Sequence, residues 1–258
     1  MKKLIITTTI LILGGTILAQ KMRDFGSCPY EIEIRTLNFI VLDINYEKNV
    51  VAFKHVFEMQ TQYIYTSDED EAERHPVNCN YAGMEEYPYA GVVLGIYDLS
   101  SGEYLKTFTT YKSCYSTEQC FDYETSAKNL DSAKQLFAKY NLNIENKPKP
   151  IDFTHTSDDE FKVSISGIDF FSKYENNYNE GHTKSYLYAN DKLLYWIEQQ
   201  DFFIMASRGE IRYISAYSNG KKIVFLNKLF HENHLEGPPS YEFYHFTPVF
   251  DIETLKKP

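Results

Sequence analysis

The segment Gly91–Glu124, GVVLGIYDLSSGEYLKTFTTYKSCYSTEQCFDYE, constrains the fold more than any other. Val92, Leu94 and Ile96 alternate with a partly apolar opposite row, the period of a half-buried strand. Asp98-Leu99-Ser100-Ser101-Gly102 then supplies turn chemistry, and Gly102 can take the positive φ that closes a short hairpin loop. Glu103–Thr110 returns as a strand. Strict alternation puts Tyr104, Lys106, Phe108 and Thr110 on one face and Leu105, Thr107 and Thr109 on the other. A long antiparallel hairpin in the first half of the chain points to a β protein.

The rest of the sequence agrees. Tyr 22 and Phe 18 against one Trp is a strand bias, because flat rings pack well on pleated, half-buried surfaces. Strands are expected over 32–44, 50–58 (extended by 62–66), 161–165, 168–172, 185–188, 192–199, 202–207, 210–217, 222–229 and 241–251. Asn190-Asp191, Arg208-Gly209 and Asn219-Gly220 mark turns between them. One segment differs. Ala127, Leu130, Ala133, Leu136, Phe137 and Tyr140 form an apolar stripe at helical spacing, with Thr125 or Ser126 to cap its start, so one amphipathic helix is expected near 125–140. Glu145–Pro150 (ENKPKP) is polar and proline-bearing, and marks a subdomain boundary near 145–150 within a single domain spanning 20–258.

There is one internal echo. Asn45–His55 resembles Tyr217–Asn227 as a turn followed by a short apolar strand. Each leads on to a second strand end, Tyr97-Asp98-Leu99-Ser100 or Phe250-Asp251-Ile252-Glu253. Recurring strand-turn-strand units of this kind resemble propeller blades, although no WD or kelch signature is present. The expected fold is therefore mainly β: an antiparallel β-meander closed into a sandwich or barrel, or alternatively a partial propeller-like array.

Met1–Ala19 carries a basic pair, Lys2-Lys3, then an apolar run over 4–18 and a small residue at Ala19. This is the pattern of a bacterial secretory signal peptide with Gln20 as the first mature residue. The run is shorter than the roughly 20 residues of a membrane span, and no other stretch is apolar enough to supply one. A secreted or periplasmic mature chain is expected. Its four cysteines would meet an oxidising compartment, with Cys114–Cys120 closing a small loop and Cys28–Cys79 tying the N-terminus to the acidic loop. Net charge is −10, which argues against nucleic acid as a partner, since phosphates require a basic footprint.

No GxSxG, GxGxxG, P-loop or HExxH occurs, so no catalytic motif is spelled out. Three groups of residues carry chemistry in outline. His231, His234 and His245 include an i, i+3 pair and would suit Zn²⁺ if they converged. The acidic run Asp68–Glu71 offers oxygen ligands for Ca²⁺ without the glycine and spacing of a calcium loop. Tyr174, Asn177, Tyr178 and Tyr186 flank a loop rich in Asn and Glu and would suit a glycan or protein ligand. The favoured expectation is a non-catalytic binding or cell-envelope module that needs no cofactor. The alternative is a metal-assisted or carboxylate-dependent hydrolase whose site is assembled from loop residues.

Overall fold

The computed structural model describes residues 30–63, 89–113, 125–157, 160–177, 182–200, 207–233 and 241–256. The N-terminal segment, Asp68–Glu71, the four cysteines and the expected strand end over 202–206 lie outside them.

The protein is mainly β and antiparallel, as expected, and the described residues form three separate sheets with no closed barrel among them. Sheet A is a four-stranded meander of β1 (Tyr30–Asn45), β2 (Val50–Tyr63), β3 (Tyr89–Asp98) and β4 (Glu103–Ser113). Helix α1 (Ala127–Lys139) follows, capped by the Ser126 side chain, which accepts the Asn129 N–H at 3.3 Å. Sheet C comprises β5 (Thr154–His155), β6 (Phe161–Ile165), β7 (Ile168–Asn177), β8 (His182–Ala189) and β9 (Lys192–Gln200) in sequential order. Sheet B is made last, from β10 (Ser207–Ser218), β11 (Lys222–Asn233) and β12 (Tyr241–Phe246). The two-residue β13 (Phe250–Asp251) also pairs with β11 and runs into the short helix α2 (Ile252–Leu255).

The layers follow from which faces are apolar. One face of sheet A (Leu42, Val50, Ala52, Leu94, Ile96) buries Ala133 and Phe137 of α1. Its other face (Val41, Val51, Phe53, Tyr97) packs on Val224, Leu226 and Phe246 of sheet B. The far side of sheet B (Tyr213, Ala216, Ile223, Phe225) packs on Phe161, Ile168, Phe170 and Leu187 of sheet C. Sheet B is thus the middle layer, which is why Ile223-Val224-Phe225-Leu226 is a continuous buried apolar run rather than an alternating one. The helix lies where the sequence places it, but Arg208-Gly209, an expected turn, continues β10 in register with Glu232 and His231, and the expected strand 241–251 is interrupted over 247–249. Asp43 secures the linker: its carboxylate accepts the Asn143 N–H at 2.7 Å and the Asn146 side-chain amide at 2.6 Å.

Strict alternation fails where bulges occur. The register shift between Ile96 and Tyr97 leaves Leu105 as an extra, exposed residue in β4. Tyr104 consequently faces sheet B while Phe108 faces α1, not the shared face that alternation implies. A second bulge at Ile214 swaps the faces of β10, turning Tyr213 and then Ala216 toward sheet C.

Candidate functional site

Two places in this architecture gather polar chemistry. One is the outward face of sheet C, the side turned away from sheet B. Residues directly opposite on antiparallel strands share a face, with Cβ atoms about 4.5–5.5 Å apart. The register of β7, β8 and β9 therefore builds successive rows on that face: Phe171–Tyr188–Leu193, Lys173–Tyr186–Trp196 and Glu175–Lys184–Glu198. Phe171 and Tyr188 stack at 4.9 Å with their planes 5° apart, and Lys173 Nζ lies 5.4 Å from the Tyr188 ring centre. The Tyr186 hydroxyl donates to Glu175 at 2.8 Å, and Lys184 pairs with Glu198 at 3.5 Å. Partial burial, then the Glu175 contact, push the Tyr186 phenol up to about 12, so it remains a neutral donor. Lys173 and Glu175 are solvent-exposed and the rings are half-buried. The face thus presents half-buried aromatic rings beside Lys173, Lys184, Glu175 and Glu198, with exposed Lys162 opposite Phe171 at its β6 side.

Of the residues expected there, Tyr186 is on this face. Tyr174 pairs with Ser185 and so lies on the opposite, inward face, because neighbouring strand residues alternate. The two tyrosines therefore do not form one surface. Asn177 ends β7 opposite His182, while Tyr178 lies outside the described residues. Trp196 is the residue that sequence reasoning missed. Being the sole Trp, it counts against a stacking surface by number, but its spacing from Glu198 in an alternating strand puts it directly beside Tyr186.

The second place is the centre of the molecule. His245 in β12 is 5% exposed, and both of its ring nitrogens are engaged: Nδ1 lies 2.5 Å from the Tyr97 hydroxyl and Nε2 lies 2.9 Å from the Tyr195 hydroxyl. Tyr97 belongs to sheet A, His245 to sheet B and Tyr195 to sheet C, so this bridge joins all three layers. Burial pushes the His245 imidazole down to about 4, and burial raises the Tyr97 phenol well above its ordinary value. At neutral pH all three groups are uncharged.

That arrangement replaces the expected metal role of His245, whose nitrogens are both occupied by hydroxyls. His231 lies in β11 opposite Tyr241, four residues along the sheet from the Asn227–His245 pair, or roughly 13 Å at strand rise. His234 lies outside the described residues. Among the described residues no group of three or more His, Cys, Asp or Glu could hold a metal ion. A third feature is a groove of about 370 Å³ between β4 and α1, floored by Leu105, Phe108, Leu136 and Tyr140 and rimmed by Lys106 and Lys139. It contains no carboxylate or imidazole.

No protein-family model matches the chain, and neither a curated protein nor a solved structure matches it.

Proposed function

We propose that the chain is an exported, non-catalytic binding module of a bacterial cell envelope or exterior, and that the outward face of sheet C receives a glycan. The observation that carries this reading is the row Lys173–Tyr186–Trp196 beside Glu175–Lys184–Glu198. Aromatic faces stack on the C–H faces of sugar rings. Carboxylates and ammonium groups next to them exchange hydrogen bonds with hydroxyls. A face on which cations and carboxylates alternate suits a neutral ligand better than an ionic one. Export is supported by Lys2-Lys3, the apolar run that follows and Ala19. In an oxidising compartment Cys114–Cys120 and Cys28–Cys79 would pair.

Binding of the purified protein to an array of neutral and charged polysaccharides tests the reading. The expected result is retention on a neutral glycan, weakened at least tenfold by Trp196→Ala and unaffected by Lys139→Ala in the groove beside α1. Retention that Trp196→Ala leaves intact, or no retention on any glycan, refutes this site. Separately, the exported form should begin at Gln20 and show two disulfides when its peptides are mapped without reductant. A chain that retains residues 1–19, or four free thiols, refutes the export reading.

A further inference from the structure

Tyr213, Asn227 and His245 occupy one row across sheet B. Asn227 stands opposite Tyr213 on one side and opposite His245 on the other, and the row faces sheet C. Asn227 is 0% exposed, yet neither Oδ1 nor Nδ2 has a hydrogen-bond partner among the protein atoms. The Tyr213 hydroxyl and the Ser185 hydroxyl are also buried and unpartnered. Ser185 pairs with Ile197 on the inward face of sheet C, diagonal to Tyr195. Polar atoms buried without partners are rare in folded proteins, and four of them gathered at one interface are rarer.

The directions of the neighbouring hydrogen bonds sharpen the point. The Tyr97 oxygen takes a backbone hydrogen bond from Phe246 as well as contacting His245 Nδ1. Among the described residues, the acceptor within reach of the Tyr97 proton is Nδ1. A neutral imidazole that accepts at Nδ1 carries its proton on Nε2, which then donates to the Tyr195 oxygen. The Tyr195 O–H must accordingly point onward. Burial first, and then the neighbouring Tyr195 phenol, raise the Tyr213 phenol above its ordinary value, which places the two hydroxyls near one another. Beyond Tyr195, then, lie one donor seeking an acceptor and a row of hydroxyl and carboxamide groups seeking partners.

We propose that the interface between sheets B and C is an internal water-binding site. Its water accepts from the Tyr195 hydroxyl and is shared among Tyr213, the Asn227 carboxamide and Ser185. Buried waters characteristically make two to four hydrogen bonds to groups that would otherwise be unsatisfied, and Tyr195, Tyr213, Asn227 and Ser185 offer four such residues. The site extends the Tyr97–His245–Tyr195 bridge, turning a three-residue contact into a polar seam through the apolar core.

Deuterium relaxation dispersion of water on the folded protein detects long-lived internal waters, and thermal melting reports whether the hydroxyls are satisfied. The expected result is a long-lived water signal in the wild type that diminishes in Asn227→Leu, and a lower Tm for Tyr213→Phe, which removes one oxygen. A Tyr213→Phe protein that melts at or above the wild-type temperature would show that the hydroxyl had no partner to lose, and would overturn the proposal. So would a water signal absent from the wild type, or one unchanged in both variants. Should Asn227→Leu fail to fold, Tyr213→Phe decides by both readouts.

Discussion

The Tyr97 hydroxyl meets His245 Nδ1 across 148 residues of sequence and from one sheet to the next. Tyr97 ends the hairpin strand of sheet A, and His245 sits in the last long strand of sheet B. The far nitrogen of the same ring reaches Tyr195 in sheet C. Tyr97→Phe would leave Nδ1 buried without a partner, and Tyr195→Phe would do the same at Nε2. Each is expected to cost about 1–3 kcal/mol in urea unfolding. Because both act through one ring, the double variant should depart from the sum of the single effects. Strict additivity would mean that the bridge does not couple the layers.

The same ring sets a pH dependence. His245 has its affinity for a proton lowered to about 4 in the folded protein, against about 6.5 in an unfolded chain. The unfolded state therefore binds the proton first as pH falls. The stability tied to the neutral ring is complete above about 6.5, declines on descent and is gone below about 4. Between pH 6.5 and 5, above most carboxylate titrations, His245 should account for about 2 kcal/mol. His55, pushed down to about 4 by burial and bonded to Thr36 at 3.0 Å, acts in the same direction. Urea unfolding at several pH values checks this. A wild type whose stability is flat from pH 6.5 to 5, or a slope that His245→Gln leaves unchanged, contradicts it.

Gly95 has a different task. It stands opposite Phe53, whose ring lies across it, and a Cβ there would be 2.6 Å from Phe53 Cζ and 3.1 Å from the Lys106 carbonyl oxygen. Gly95→Ala should therefore cost about 1–3 kcal/mol by forcing the ring and backbone apart. Phe53→Leu removes the ring edge, so the combined variant should lose less than the two changes summed. A Gly95→Ala protein as stable as the wild type in thermal melting would mean that the ring yields freely.

These residues show what was legible in the sequence. The hairpin at Gly91–Glu124 and the helix stripe at Ala127–Tyr140 are local patterns, and local patterns fix strands, turns and caps. Gly102 has φ of 78° at the predicted turn, and Ser126 caps the predicted helix. The side on which Tyr104 lies was not legible, because one bulged residue at Leu105 reverses every later side chain and no composition marks it. Nor was the meeting of Tyr97, His245 and Tyr195. It depends on sheet B, the last made, entering between sheets A and C. The grouping of Tyr174 with Tyr186 failed for the simplest reason: in neighbouring strands, closeness in sequence does not mean a shared face. Trp196 joined Tyr186 through the β8–β9 register instead.

The echo between the two halves has a physical counterpart that can be tested directly. Val50, which opens β2, pairs with Asp98, and Lys222, which opens β11, pairs with Asp251. In each case the next residue is buried and its amide bonds back across the strand start: Leu99 to Asn49 O and Ile252 to Lys221 O, both at 2.8 Å. In each case the aspartate carboxylate accepts two following amides, Ser100 and Ser101 at one end and Glu253 and Thr254 at the other. One local solution thus starts a hairpin turn in sheet A and starts helix α2 beside sheet B. If the two are the same device, Asp98→Ala and Asp251→Ala should each cost about 1 kcal/mol, with Asn restoring most of it as an alternative acceptor. Leu99→Ala and Ile252→Ala should each cost about 2–5 kcal/mol, because their side chains fill the cores on either side of sheet B. Chemical denaturation of the four variants and the two Asn controls reads the comparison. A large loss at Asp98 with none at Asp251 would make the echo a coincidence of sequence rather than a repeated structural unit.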